Sequence, residues 1–167
     1  MTDAFLETLE NWQNYYFMIG GATAGLIGLM FVALSLGLPL IQNVPKEEGR
    51  AFAAPSVIYF VTVLLIAGVM LIPAVDPVIL GLLVLMTTLV GCFNMFRRWR
   101  KLFDNAIRRS DFFLSDWMGH IIVPILSYVL LIAAAVCFIV VQWPLAFGAL
   151  WMASILLMLA AITNTWA

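Results

Sequence analysis

Apolar residues run along this chain in five long stretches, which are separated by shorter and more polar segments. Each stretch is close to the roughly 20 apolar residues that a helix needs to cross the hydrocarbon of a bilayer. The five predicted spans are residues 17–41, 52–72, 77–96, 118–141 and 144–162. The pattern therefore predicts an all-α integral membrane protein with five transmembrane helices, in which residues 1–167 form a single membrane domain.

Composition supports the same fold class and excludes others. Of the residues, 65% are hydrophobic and only 10% are charged, whereas a soluble domain is nearer half apolar and a quarter charged. So few charges could not keep a water-soluble globule dispersed. Soluble enzymes and nucleic-acid-binding proteins are thereby excluded, and we expect membrane lipids to surround most of the chain.

Two further segments have one apolar and one charged face. In residues 1–16 the apolar positions recur at helical spacing opposite the acids, which predicts an amphipathic helix on the outer membrane surface. Residues 97–117 form a basic amphipathic stretch, which predicts an interfacial helix in the cytoplasm. Its cations are expected to contact anionic lipid headgroups; they are Arg98, Lys101, Arg108 and Arg109.

Basic residues give the orientation. All eight Lys and Arg residues fall in the loops after the first and third predicted spans, and none falls in the other loops or at the amino terminus. Because cytoplasmic loops carry the excess of Lys and Arg, the chain is predicted to have its amino terminus outside and its carboxyl terminus in the cytoplasm.

The first span contains small residues at helical spacing. Gly20, Ala24 and Gly28 repeat every four residues, and Gly21 and Gly25 lie beside them. Small residues at this spacing let two membrane helices approach closely. Two interpretations remain open. The small residues pack against other helices of the same subunit, or they form either a contact between subunits or a face that lines a pore.

The run GGATAGLIGLMFVALSL in this span resembles the Gly/Ala-rich first helix of uncharacterised small multipass proteins of the bacterial inner membrane. The resemblance covers about a sixth of the chain. It implies a location in the bacterial inner (plasma) membrane, and it implies no catalytic or binding residues.

Asp116 and His120 are the best candidates for chemistry. They are four residues apart at the cytoplasmic start of the fourth span, so they share one helix face. Pro124 cannot bond the carbonyl of His120, and a free carbonyl beside an acid–imidazole pair could bind a cation or relay a proton. The simpler interpretation is a helix start with Asp116 near the N-cap.

Asp76 precedes Pro77 at the predicted start of the third span. An N-cap carboxylate followed by proline is a common way to begin a helix. If several subunits surround an axis, Asp76 with Asp3, Glu7 and Glu10 would instead form an acidic outer vestibule that concentrates cations.

Thr87 and Asn94 lie on one face of the third span, together with Gly91. Hydroxyl groups in membrane helices often bond to carbonyls of their own helix, while a carboxamide needs partners in a dry setting. The sequence contains no cluster of metal-ligating residues and no nucleophile–base pair within a span, so we expect no metal, no cofactor and no enzymatic activity.

Two functions fit these features. The first is a homo-oligomeric channel or permeation pathway for small ions, cations in particular. The residues expected to line this pathway are Asp76, Thr87, Asn94, Asp116 and His120. The alternative is a non-catalytic membrane module that binds lipid or a larger membrane protein partner.

Overall fold

The computed structural model describes residues 2–40, 46–73, 76–106, 122–140 and 142–166. Within these ranges the chain is helical apart from short turns. The five helices are α1 (Thr2–Leu40), α2 (Lys46–Met70), α3 (Pro77–Ala106), α4 (Val123–Ile139) and α5 (Trp143–Trp166).

In the described part of the chain, three helices are long and apolar enough to cross a membrane: Asp3–Gly37, Pro77–Arg97 and Trp143–Asn164. The apolar parts of the other two helices are shorter, at Pro55–Met70 and Val123–Ile139. Large apolar side chains cover the outside of the protein, and Phe17, for example, is 73% exposed. A surface of this kind indicates a membrane protein, because contiguous apolar area on this scale is rare in water.

The last four helices form a ring. Helix α2 packs against α3, α3 against α4, α4 against α5, and α5 against α2. Helix α1 lies outside this ring and packs mainly on α2. The peripheral position of α1 matters for the site, because one face of this helix has no neighbour among the described residues of the subunit.

Short turns fix the hairpins of the ring. Between α4 and α5 the amide of Gln142 donates to the carbonyl of Cys137 at 2.8 Å. At the start of α3, the side chain of Asp76 accepts a hydrogen bond from the amide of Val78 at 2.8 Å, with Pro77 at the first helical position. This is the N-cap geometry that the sequence indicates, since an acid there satisfies an amide that the helix leaves free.

The core of the ring is apolar, and its hydroxyl groups bond locally. The side chains of Thr62, Thr88, Ser127 and Ser154 each donate to the carbonyl four residues earlier, at 2.7–2.8 Å. Few polar contacts join different helices. One is the hydrogen bond from Asn164 Nδ2 in α5 to Ser56 Oγ in α2, at 2.9 Å.

Helix α1 corrects the prediction of a separate surface helix at residues 1–16. It is one continuous helix of 39 residues, about 58 Å long at 1.5 Å per residue. Phe5 and Leu9 are each 1% exposed, and the Phe5 ring packs edge-on against Phe138 at a centroid distance of 6.4 Å. The apolar face of this segment is therefore covered by α4 and α5 rather than by lipid headgroups.

Helix α3 corrects the predicted boundary at Phe96. The helix continues without a break to Ala106, so the first part of the basic segment 97–117 extends the third span. The rest of that segment lies outside the described residues, as do the first residues of the predicted fourth span. In the described part of that span, α4 begins at Val123 with Pro124 in its first turn.

Candidate functional site

The small residues of α1 fall into two groups. Gly20 is buried, and a Cβ added there would lie 3.1 Å from the Cβ of Ala67 in α2. At Gly21, Gly25 and Gly28 an added Cβ would meet nothing within 4 Å. Among the described residues, close packing inside one subunit, the first of the two interpretations above, is therefore seen at Gly20 and not at the other three glycines.

These exposed positions define the open face of α1, which consists of Gly21, Ala24, Gly25 and Gly28. They are spaced at three and four residues, so they lie on one side of the helix. Large exposed side chains flank this face, including Leu29 at 68% and Val32 at 52%. The face is a shallow apolar strip at which another helix could approach the backbone of α1.

Close backbone packing occurs instead on α3, at two glycines. A Cβ added to Gly81 would lie 2.9 Å from the carbonyl oxygen of Ala135 and 2.9 Å from the Cβ of Phe138. A Cβ added to Gly91 would lie 2.8 Å from Cε1 of Tyr128. A side chain at Gly81 would collide with the backbone of α4, whereas one at Gly91 would have to displace the Tyr128 ring. Gly81 was not among the sequence candidates.

Gly91 brings three helices together. The Tyr128 hydroxyl of α4 lies 3.2 Å from Thr62 Oγ1 of α2, and Thr62 in turn donates to its own Ile58 carbonyl. Because the single proton of Thr62 is used in that bond, the Tyr128 hydroxyl is the donor. The result is a buried hydrogen bond between α2 and α4 that passes over the bare backbone of α3.

Beside this contact lies a groove between α2 and α3 with a volume of about 240 Å³. We call it the α2–α3 groove. Its lining residues are Val57, Ile58, Val61, Thr62, Leu65, Thr87, Val90, Gly91 and Asn94. The structure thus brings together Thr87 and Asn94, two of the predicted pathway residues, on one wall of an otherwise apolar groove.

The polar groups of this wall bond within their own helix. Thr87 Oγ1 donates to the Leu83 carbonyl at 2.9 Å, and Asn94 Nδ2 donates to the Val90 carbonyl at 2.9 Å. One N–H of Asn94 and its side-chain oxygen have no further partner among the described residues. The groove therefore offers one neutral donor and acceptor at its Asn94 end and little polarity elsewhere.

Four of the nine acidic residues belong to one end of the bundle, which has no basic residue in the described part of the chain. Phe5 near the start of α1 contacts Trp143 at the start of α5, and Gly81 near the start of α3 contacts Ile139 at the end of α4. The exposed side chains of Asp3, Glu7, Glu10 and Asp76 therefore belong to the same end, which we call the acidic end.

The basic residues belong to the opposite end, where α2 begins and α3 finishes; we call it the basic end. The guanidinium of Arg97 lies 5.7 Å from the centre of the Phe93 ring, in the range of a cation–π contact. Arg98 and Lys101 belong to the same stretch of α3. Arg108, Arg109, Asp116 and His120 lie outside the described residues, so the proposed acid–imidazole pair stays a prediction.

An aromatic cluster joins α1 to the ring near the acidic end. It consists of Phe5, Trp12, Tyr15, Tyr16, Phe138, Trp143 and Phe147. Trp12 stacks on Phe147 with a centroid distance of 5.8 Å and an interplanar angle of 10°. Among the described residues the buried hydroxyls of Tyr15 and Tyr16 have no hydrogen-bond partner, so the cluster is held by ring contacts alone.

Metal ligands and thiols give no additional site in the part of the chain that the structure describes. There, no group of three or more His, Cys, Asp or Glu side chains is placed to hold a metal ion. Cys92 and Cys137 are both free and half-buried. The described surface therefore consists of apolar grooves, helix faces and several charged residues at each end.

Comparison of the chain with known proteins identifies no relative. The chain matches no protein-family model, no curated protein and no solved structure.

Proposed function

We propose that this protein is a five-span protein of the bacterial inner membrane that assembles with copies of itself and forms a permeation pathway for small cations. The membrane part is supported by the three long apolar helices and by the apolar surface. The proposed orientation puts the acidic end outside and the basic end in the cytoplasm. It is supported by the basic residues, all of which belong to the ends of α2 and α3 or to the segment that follows α3.

The open face of α1 is the observation that carries the proposal of self-assembly. Glycine inside a helix is less favourable than alanine by about 1 kcal/mol in water, and packing against Ala67 accounts for Gly20 alone. A second helix seated on Gly21, Gly25 and Gly28 would give the remaining glycines the close backbone contact that membrane helices use to associate. A second copy of the chain is the partner that we propose.

Copies arranged around an axis would bring their acidic ends together. Asp3, Glu7, Glu10 and Asp76 are exposed, so a ring of them would raise the local concentration of cations at the outer mouth. The described part of the spans contains no charged side chain at mid-depth. Passage would therefore depend on hydroxyls, carbonyls and an apolar constriction, as pores can.

Particle mass tests the assembly. We expect Gly25→Leu to lower the mass of the detergent-solubilised particle to that of a single chain, because the new side chain separates the backbones. Gly148→Leu is the matched control, since an added Cβ at Gly148 in α5 also meets nothing within 4 Å. Equal masses for wild type and both variants would overturn the role of α1.

Ion flux tests the pathway. In liposomes with verified insertion, we expect cation flux above that of empty vesicles, and we expect Asp76→Asn to reduce it several-fold. Asparagine caps helices about as well as aspartate, so this variant removes the charge at Asp76 and keeps the hydrogen bond to Val78. An oligomeric particle that gives no flux would overturn the conduction and leave the assembly in place.

A further inference from the structure

The α2–α3 groove has the dimensions and polarity of a site for a lipid chain. Its volume of about 240 Å³ is below the range of pockets for drug-sized ligands. From Val57 to Leu65 it follows α2 for about 12 Å along the axis. Most of its lining side chains are aliphatic, which suits a slender apolar ligand rather than a polar one.

Glycine forms part of the groove wall. Gly91 is buried in that wall, and a Cβ added there would lie within 3.0 Å of side-chain atoms of Tyr128 and Thr62. The residues on either side, Val61 and Val90, are 38% and 55% exposed. The groove is therefore open to the surroundings of the protein and is not a closed core cavity.

Polarity increases towards the basic end of the groove. Asn94 lines that end and has a donor and an acceptor without partners among the described residues. Arg97 follows one turn later, and its exposed guanidinium is held over the Phe93 ring. A ligand with an apolar tail in the groove would place its head beside the Asn94 carboxamide. Arg97 does not line the groove, but it follows Asn94 by about 4.5 Å along the axis of α3 and is the permanent cation next to this end.

We propose that the α2–α3 groove binds one acyl chain of an anionic phospholipid, with the phosphate of the lipid held by Arg97 and its ester region by Asn94. A guanidinium binds phosphate through charge-assisted hydrogen bonds, and the aliphatic wall accounts for the chain. Zwitterionic lipids with the same chains bind less well, because their ammonium group opposes Arg97. The inference requires the membrane setting and depends on neither assembly nor conduction.

Native mass spectrometry of the full-length protein in detergent tests this site. With phosphatidylglycerol added, we expect one lipid to be retained per chain, and fewer with phosphatidylcholine of identical chains. Val90→Phe and Val61→Phe should each weaken retention at least about tenfold, because displacing about two methylene groups is enough for that loss. Arg97→Gln should remove the preference for phosphatidylglycerol.

Val129→Phe is the matched control. Val129 of α4 is 55% exposed, as Val90 is, and does not line the groove. Each variant must keep the helical circular-dichroism spectrum and particle mass of the wild type. Equal retention by Val90→Phe and Val129→Phe would overturn the groove as the site. Complete displacement of the lipid by inorganic phosphate would overturn the role of the acyl chain, and equal binding of both lipids would overturn that of Arg97.

Discussion

Helices α1 and α3 both contain glycines within apolar spans, and the two helices use them differently. On α3, Gly81 and Gly91 lie where an added Cβ would come within 2.9 Å of α4. On α1, the regularly spaced Gly21, Gly25 and Gly28 have open space in front of them. The difference follows from position, because α3 lies in the ring between α2 and α4, while α1 packs on the outside.

The largest effect is expected at Gly81. Gly81→Val should lower the free energy of unfolding in detergent by about 3 kcal/mol, because the nearest obstacle includes the carbonyl oxygen of Ala135, which is backbone and cannot rotate away. This free energy is measured by unfolding the protein in sodium dodecyl sulfate and monitoring the loss of helix by circular dichroism. Gly68→Val is the control on α2, where an added Cβ meets nothing within 4 Å. Equal losses for the two variants would contradict the assignment of close packing to α3.

A smaller loss is expected at Gly91. Gly91→Ala should lower the free energy of unfolding by about 1–2 kcal/mol. The methyl group of the new alanine must displace the Tyr128 ring, and with it the hydrogen bond between Tyr128 and Thr62. Tyr128→Phe removes one of the obstructing atoms, and Thr62 keeps its bond to Ile58.

A double-mutant cycle separates this contact from a general loss of helix packing. The double variant Gly91→Ala/Tyr128→Phe should lose less free energy of unfolding than the sum of the single variants. Strict additivity in the same denaturation assay would show that Gly91 and Tyr128 do not restrict one another.

The smallest effect is expected on α1. Gly25→Ala should leave the free energy of unfolding of the dissociated chain unchanged or raise it by up to about 1 kcal/mol, because alanine is the better helix former and has room at this position. Gly20→Ala should instead lower it slightly, since the Cβ of Ala67 lies 3.1 Å away. A clear loss from Gly25→Ala at protein concentrations that keep the particle monomeric would show that this face of α1 is already covered within one subunit.

Much of the fold follows from the sequence. Five apolar stretches become five helices, and Asp76 with Pro77 begins α3, because capping and hydrophobic length are local properties. The continuity of α1 does not follow in the same way. Phe5 and Leu9 opposite Asp3 and Glu7 show which face is apolar, and the same pattern fits a helix covered by lipid headgroups or by its own bundle.

The candidate site is also harder to predict, because a residue pattern shows which positions share a helix face but not which helix covers that face. Spacing identified the wall of Thr87, Gly91 and Asn94, which lines the α2–α3 groove. It gave no prominence to Gly81, because a lone glycine in an apolar helix has no recognisable repeat. The buried residues 81, 84, 88 and 91 of α3 carry the signal that was missed, since they lie on one helical face and include both glycines.

The unbroken course of α1 has a mechanical consequence. The helix runs from Thr2 to Leu40 without a break, so its first and last turns belong to the same element. The stacking of Trp12 on Phe147 therefore orients the whole of α1 at one of its ends. A ligand or mutation that tilts those first turns would change the direction of the same helix at its last turns, some tens of ångströms away.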